Sequence, residues 1–425
     1  MSTQLEMARE GKITREMKRV ARKEGFTEAQ ILKWVKDGSV VIPANRVHLK
    51  LGLKALGIGE MLRTKVNVNL GSSPLDYDFR KEMRKLRIAL KYGADAVMDL
   101  SNYGAIDKNR ARIIKNCPVP VGTVPVYEAG SFENFDELSV DDFLKVVEKH
   151  CKSGVDFVTV HSGITGKTLP FVKKRLTGIV SKGGALMARW MLANNAENPY
   201  AEYFDELCEI VKKYDTAFSL GDALRPGSIH DATDKAQIEE LKVVAKQAER
   251  ARELGAQVII EGPGHVPLNE VEKNMDLKKK YAGKTPFYVL GPLVTDIGAG
   301  YDHITAAIGG ALAAYYGAAF LCYVTPSEHL GLPDEESVRQ GLIASRIAAH
   351  AADLALGKKG TRDWDYRMSK ARFELDWPGM FREALDRERA CEYRKKSGVT
   401  KKRGVCTMCG QYCPMKETKK LRKKM

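Results

Sequence analysis

Between residues 65 and 324, short runs rich in β-branched residues alternate with amphipathic stretches of helical period. That alternation is the pattern of βα repeats and a parallel sheet. Nine runs qualify as strands, at 65–70, 94–100, 119–126, 155–161, 178–180, 217–220, 257–260, 287–290 and 319–324. Stretches 79–91, 140–151, 203–213 and 236–254 read as helices between them. The expected fold is α/β, a (β/α)₈ barrel, which takes eight strands. One candidate therefore lies outside the ring.

The C-terminal strand ends of such a barrel converge on one face. Here those ends carry Asn69, Met98, Tyr127, His161, Ser181, Asp222, Glu261, Tyr288 and, after the last run, Glu328 with His329. Capping of the following helix is the ordinary use of Asn69, Ser181 or Asp222 taken singly. A polar group at every end points instead to a common cavity.

Residues 1–60 read as a helical segment, with Thr14 able to cap one helix and Thr27 and Gln30 at capping-box spacing before another. The barrel is assigned to 61–355. Residues 356–425 form a C-terminal part, with a helical stretch at 369–396 and a short tail punctuated by Gly398 and Gly404. The tail's composition suggests that it gains order only by binding something. No run of about 18 apolar residues occurs, and the opening residues lack a signal-peptide apolar stretch, so a soluble cytoplasmic protein without membrane contact is expected.

The net charge of +15 is concentrated: from residue 394 onward twelve Lys or Arg face the single acid Glu417. A solvated tail is the plain reading, and nonspecific attraction to nucleic acid the sharper one. No nucleic-acid-binding motif accompanies it, and a nucleic-acid partner is not expected. The same tail holds Cys406, Cys409 and Cys413 at C-x₂-C-x₃-C spacing. Three thiolates on one short loop can ligate a [4Fe-4S] cluster with one iron left open. Recruiting Cys391 would instead complete a four-thiolate zinc site.

Two further constellations carry chemistry. Glu261 opens the segment EGPGHVP, with His265 inside it, and Glu328 precedes His329. Two histidines with carboxylates nearby can hold a divalent cation and leave positions open. Gly262 and Gly264 lack the third glycine of a dinucleotide fingerprint. The second is an anion site: Ser181, Lys182 and Gly183 offer a hydroxyl, an ammonium and backbone amides, and Arg225 a guanidinium able to grip phosphate.

Together VNVN at 66–69, VMDLS at 97–101, GTVP at 122–125, SLGD at 219–222, RPGS at 225–228, EGPGHVP at 261–267, GYDHI at 300–304 and CYVTP at 322–326 resemble the thiamin pyrimidine synthase family of radical S-adenosylmethionine (SAM) enzymes. The resemblance implies a (β/α)₈ barrel with a C-terminal cluster segment, acting on aminoimidazole ribotide. It implies substrate contacts at Asn69, Met98, Tyr127, His161, Ser181, Lys182, Gly183, Asp222, Ala223, Leu224, Arg225, Glu261 and Tyr288. Metal ligands fall on His265 and His329, with zinc the expected ion, and cluster ligands on Cys406, Cys409 and Cys413. SAM, an electron donor of flavodoxin or ferredoxin type and a homodimer follow by the same resemblance.

The chain departs from the family pattern after Met98, where Asn102 and Tyr103 replace two small residues and are expected to bring an amide and a phenol beside the substrate. Smaller departures are Ser162, Lys182 and Ala223. On those grounds the family's second activity, 5-hydroxybenzimidazole synthesis for an anaerobic cobamide, is preferred to formation of hydroxymethylpyrimidine phosphate. A basic RNA-binding protein with a zinc knuckle is the alternative from another class.

Overall fold

The computed structural model describes residues 2–397 and 404–424. Gly398 lies outside them. Eight parallel strands close into a barrel in simple sequence order: β1 (Lys65–Leu70), β2 (Ala96–Asp99), β3 (Val121–Thr123), β4 (Phe157–Val160), β5 (Ala217–Leu220), β6 (Val258–Glu261), β7 (Phe287–Leu290) and β8 (Phe320–Cys322). Closure is made by β8 against β1, with Lys65 opposite Phe320 and Asn67 opposite Cys322. The strands are buried on both faces, which is why they read as near-continuous apolar runs rather than alternating ones.

Eight strands from nine candidates leaves 178–180 outside the ring. Its surroundings explain why: Asp231 accepts from the Leu176 and Thr177 amides at 2.8 and 2.9 Å, and Arg175 Nη1 donates to the Gly178 carbonyl. Side chains hold the residues leading into the run, and Gly178 sits at φ +66°. The 119–126 run is also cut short. Pro125 starts the helix Pro125–Ala129 directly after β3, and so places Tyr127 on a helical turn.

The four N-terminal helices are Gln4–Arg9, Arg15–Glu24, Glu28–Lys36 and Arg46–Lys50. Thr14 caps the second, and Thr27 with Gln30 forms the expected capping box on the third. A capping box by Thr3 and Glu6 was not anticipated. Met17, Val20, Ile31, Val35 and Leu62 give these helices a small core of their own. Asn45 fastens them to the barrel: its Nδ2 donates to the carbonyls of Cys151 and Val155 at 2.7 and 2.9 Å. Beside it Asp156 accepts from the Asn45 and Val121 amides and from His48 Nδ1 at 2.6 Å, all fully buried.

The chain forms two compact units, Met1–Leu356 and Gly357–Met425. In the second, the single helical stretch expected at 369–396 is three helices, Thr361–Glu374, Trp377–Glu383 and Arg387–Lys396. Leu375 at φ +57° ends the first, and Asp376 and Asp386 cap the other two.

Replacing Asn45 with Ala removes its Nδ2 bonds to the Cys151 and Val155 carbonyls and its Oδ1 cap on the Val47 amide, and a stability loss of about 1–3 kcal/mol is expected. Urea unfolding of the full chain measures it.

Candidate active site

A pocket of about 80 Å³ opens at the C-terminal end of the barrel. It gathers eight of the residues singled out in the sequence: Asn69, Met98, Tyr127, His161, Asp222, Arg225, Glu261 and Tyr288. A neighbouring pocket of about 280 Å³ shares Asn69 and Tyr127 and adds Lys182, Asn102, Glu328 and His329. Ser181, Gly183, Ala223 and Leu224 line neither. Ser181 is not at a strand end but is the buried N-cap of helix Lys182–Asn194, accepting from the Gly184 amide at 3.2 Å. The Leu224 amide donates to Glu240, and its carbonyl accepts from Arg175 at 2.6 Å. Cys322, quoted only within a motif, also lines the smaller pocket.

Two carboxyl groups dominate the electrostatics. Glu261 Oε1 accepts from Thr159 Oγ1 at 2.8 Å and Ser219 Oγ at 2.5 Å. Burial first, and the Asp222 charge second, hold the Glu261 carboxyl well above the usual range. Burial also raises Asp222, against the pull of Arg225, and the two carboxyls hydrogen-bond to each other. Both carboxyls are therefore harder to ionise than usual, and their titrations are linked. Asp222 reaches inward because Gly221 and Asp222 both have positive φ, +115° and +56°. Arg225 Nη1 lies 2.6 Å from Asp222 Oδ1.

His161 is neutral. Burial, then Arg225, push its pKa down to about 3, and its Nδ1 is buried with no hydrogen-bond partner. Helix Lys182–Asn194 approaches this ring so closely that a Cβ at Gly183 would stand 2.2 Å from His161 Cε1. Lys182 Nζ lies 4.3 Å above the Tyr127 ring, and burial lowers its pKa. In the amide orientation that satisfies both groups, Asn102 donates to the Ser72 carbonyl at 3.0 Å and accepts from Lys182 Nζ at 2.6 Å. Tyr288 Oη accepts from Asn67 at 2.8 Å, and its ring stacks on Phe320.

Tyr103 does not enter the site. It is 47% exposed, packs edge-on against Tyr77 with ring centroids 5.7 Å apart, and lines neither pocket. The expected phenol beside the substrate is absent because the loop turns outward at Gly104, φ +83°.

His265 and His329 come together from different loops, ring centroids 5.2 Å apart. Each has its Nδ1 held by a carboxylate, His265 by Asp296 at 2.7 Å and His329 by Asp302 at 3.0 Å. That leaves both Nε2 atoms available, the arrangement in which carboxylates orient metal-binding imidazoles. Neither aspartate was assigned a role from sequence. Asp302 lies inside the GYDHI motif and could have been; Asp296 carries no such signal.

In the second unit the cysteine segment is tied down, contrary to the expectation from composition. Trp377 Nε1 donates to the Gly404 carbonyl at 2.9 Å, and Arg394 donates to the Val405 carbonyl at 2.9 Å while covering the Trp377 ring. The amides of Met408 and Cys409 hydrogen-bond to the Cys406 sulfur and lower its pKa, which suits a thiolate ligand. Cys413 heads the helix Pro414–Arg422. Among the described residues no three or more His, Cys, Asp or Glu side chains gather closely enough to hold a metal, which applies to the three tail thiols as much as to a set with Cys391. The donor chemistry and spacing of Cys406, Cys409 and Cys413 are those of cluster ligands.

Residues 3–420 match the family described as Radical SAM ThiC. The chain belongs to that family. It is 55% identical over 419 residues to the phosphomethylpyrimidine synthase of Pelotomaculum thermopropionicum, covering 98% of this chain and 96% of that protein. It is 50% identical over 424 residues to those of Clostridium kluyveri and Clostridium tetani, covering 99% of this chain and 96% and 92% of theirs. Membership of the Radical SAM ThiC family implies a [4Fe-4S] cluster and SAM. No helix among the described residues is long and apolar enough to cross a membrane.

A histidine kept neutral by folding takes up its proton only on unfolding, so His161 makes the protein lose stability as pH falls below about 6.5 toward its folded value. His161→Gln should reduce the stability lost between pH 6.5 and 5 by up to about 2 kcal/mol, read by urea unfolding at the two pH values.

Proposed function

We propose that this chain converts aminoimidazole ribotide to hydroxymethylpyrimidine phosphate. The observation that carries the reading is the outward turn of Tyr103, which leaves the barrel mouth without the phenol that set the chain apart. The names of its relatives support the same product. 5-Hydroxybenzimidazole, preferred from sequence, becomes the second reading, favoured by Asn102, whose amide reaches Lys182 at the larger pocket.

When bound at Cys406, Cys409 and Cys413, the cluster with SAM supplies one-electron cleavage to a 5′-deoxyadenosyl radical, chemistry that belongs to the cofactor. The chain's residues bind and orient. Lys182 stands at the N-terminus of a 13-residue helix, where amides and helix dipole favour a phosphate. Its ammonium, buried over an aromatic ring, gains an anionic partner there. Asp222 and Glu261, both harder to ionise than usual, offer a donor and an acceptor to the amino-substituted ring. Thr159 and Ser219 occupy Glu261 Oε1, leaving Oε2 to hold a proton when Glu261 is neutral. Neutral His161 presents its bare Nδ1. His265 and His329, steered by Asp296 and Asp302, would hold a divalent cation, with zinc the expected one. A cytoplasmic homodimer served by a flavodoxin- or ferredoxin-type reductant completes the reading.

Anaerobic reconstitution with ribotide, SAM and dithionite, followed by mass spectrometry, tests the product. A phosphorylated pyrimidine is expected; a phosphate-free benzimidazole would install the second reading. Lys182→Met should weaken ribotide binding by about 1.5–3 kcal/mol, tenfold or more in Kd. His265→Ala with His329→Ala should remove one non-iron metal per chain by elemental analysis, and Asp296→Ala should weaken that metal about 10–100-fold against a competing chelator. Unchanged metal content would return both histidines to a structural role.

A further inference from the structure

A cavity of about 540 Å³ lies among the N-terminal helices, outside the barrel mouth. One wall is helix Arg15–Glu24, and the other runs from Leu49 to Ala55. The second wall is fastened to the opposite end of the barrel. His48 Nε2 meets the Cys117 carbonyl at 2.7 Å, and the Lys54 amide donates to the Pro118 carbonyl at 2.8 Å, both just before β3 begins. A ligand held here is not at the C-terminal strand ends where the candidate active site lies.

Arg15, Lys18, Arg19 and Arg22 line this cavity. They are spaced by three and four residues and so share one face of their helix, where like charges repel and weaken it. Two carboxylates also line the space, but Glu16 accepts from Gln4 Nε2 at 3.2 Å and Glu28 stands 3.9 Å from Lys18. Among the described residues none forms a hydrogen bond or an ion pair with Arg15, Arg19 or Arg22.

Arg19 is half-buried, and its Nε is closed off from solvent with no partner. A solvated basic face explains Arg15, Lys18 and Arg22, which are exposed, but not a buried N–H left unpaired. Guanidinium groups match the oxygens of a phosphate in planar, paired fashion. Four cations against two carboxylates leave an excess of two positive charges at the cavity, which a phosphate monoester, close to a dianion at neutral pH, balances. Leu49, Leu53 and Ala55 make the facing wall apolar, a surface suited to the flat body of the same ligand.

We infer that this cavity binds a phosphate monoester carrying a small heterocycle, with the phosphate on Arg15, Arg19 and Arg22 and the ring against Leu49 and Leu53. Two sources share that chemistry, a nucleoside 5′-monophosphate and the phosphorylated pyrimidine of the proposed reaction. The site goes beyond that reaction and stands whichever product the barrel mouth forms.

The test is calorimetry at low salt on the full chain carrying Lys182→Met, which weakens phosphate binding at the mouth. The probes are adenosine monophosphate, hydroxymethylpyrimidine phosphate and inorganic phosphate. At least one monoester should bind, and adding Arg15→Gln, Arg19→Gln and Arg22→Gln should weaken it at least tenfold. A variant adding only Arg15→Gln and Arg22→Gln, both exposed, should show the same direction of change and covers the case in which loss of half-buried Arg19 disturbs the fold. Tighter binding of adenosine monophosphate would mark a nucleotide as the source, and tighter binding of the other monoester the pyrimidine; either supports the site. Inorganic phosphate should bind at least tenfold more weakly than the better monoester, and equal affinity would overturn the placement of the ring. Equal monoester affinity with and without the arginine changes would overturn the site. So would a chain that binds a single-stranded RNA oligonucleotide but neither monoester, which would make this face a nucleic-acid surface.

Discussion

Closure of the sheet by β8 against β1 sets everything that follows at the barrel mouth. Eight parallel strands aim their C-terminal ends at one small volume, and β5 and β6 lie side by side in that ring. Asp222 and Glu261 are thereby forced together out of water. Burial and their mutual repulsion hold both carboxyls above the usual range, against the pull of Arg225. The same desolvation keeps His161 neutral and leaves Lys182 short of an anion. A polar, partly unsatisfied mouth of this kind is a poor place for an apolar ligand and a good one for a small anionic heterocycle.

The sequence made the barrel legible because its strands are buried on both faces and its helices have amphipathic stripes. The helix Phe79–Lys91 was readable to the residue, since Asp78 caps it and Tyr92 ends its period. What periodicity could not show was backbone satisfied by distant side chains. The 178–180 run has the composition of a strand, yet it joins no sheet: Asp231 holds the amides just before it and Arg175 the Gly178 carbonyl. Pro125 marked a helix start that the Val-rich run around it concealed.

The pocket was legible residue by residue at the strand ends and illegible one layer behind them. Thr159 and Ser219 hold Glu261, and Asp296 and Asp302 hold the two histidines, yet Thr159 and Asp296 lie in none of the motifs and read as ordinary polar residues until folding brings their partners near. Tyr103 shows the reverse limit. A bulky residue placed after a strand end says nothing about which way its loop turns, and here Gly104 and Tyr77 draw it outward. Order in the cysteine segment was hidden in the same way, because Trp377 and Arg394, which hold it, belong to helices upstream.

The contact between Gly183 and His161 constrains how this sequence can change. Every other amino acid encoded in place of Gly183 brings a Cβ to within 2.2 Å of the imidazole carbon, a separation that backbone and ring would have to open by more than an ångström. The two positions are thus locked as a couple. A descendant lineage that lost the glycine would first have to shrink the residue at position 161, and would give up the neutral imidazole in doing so. Drift on that turn is closed to single steps, and the glycine and the histidine should be inherited or lost as one unit.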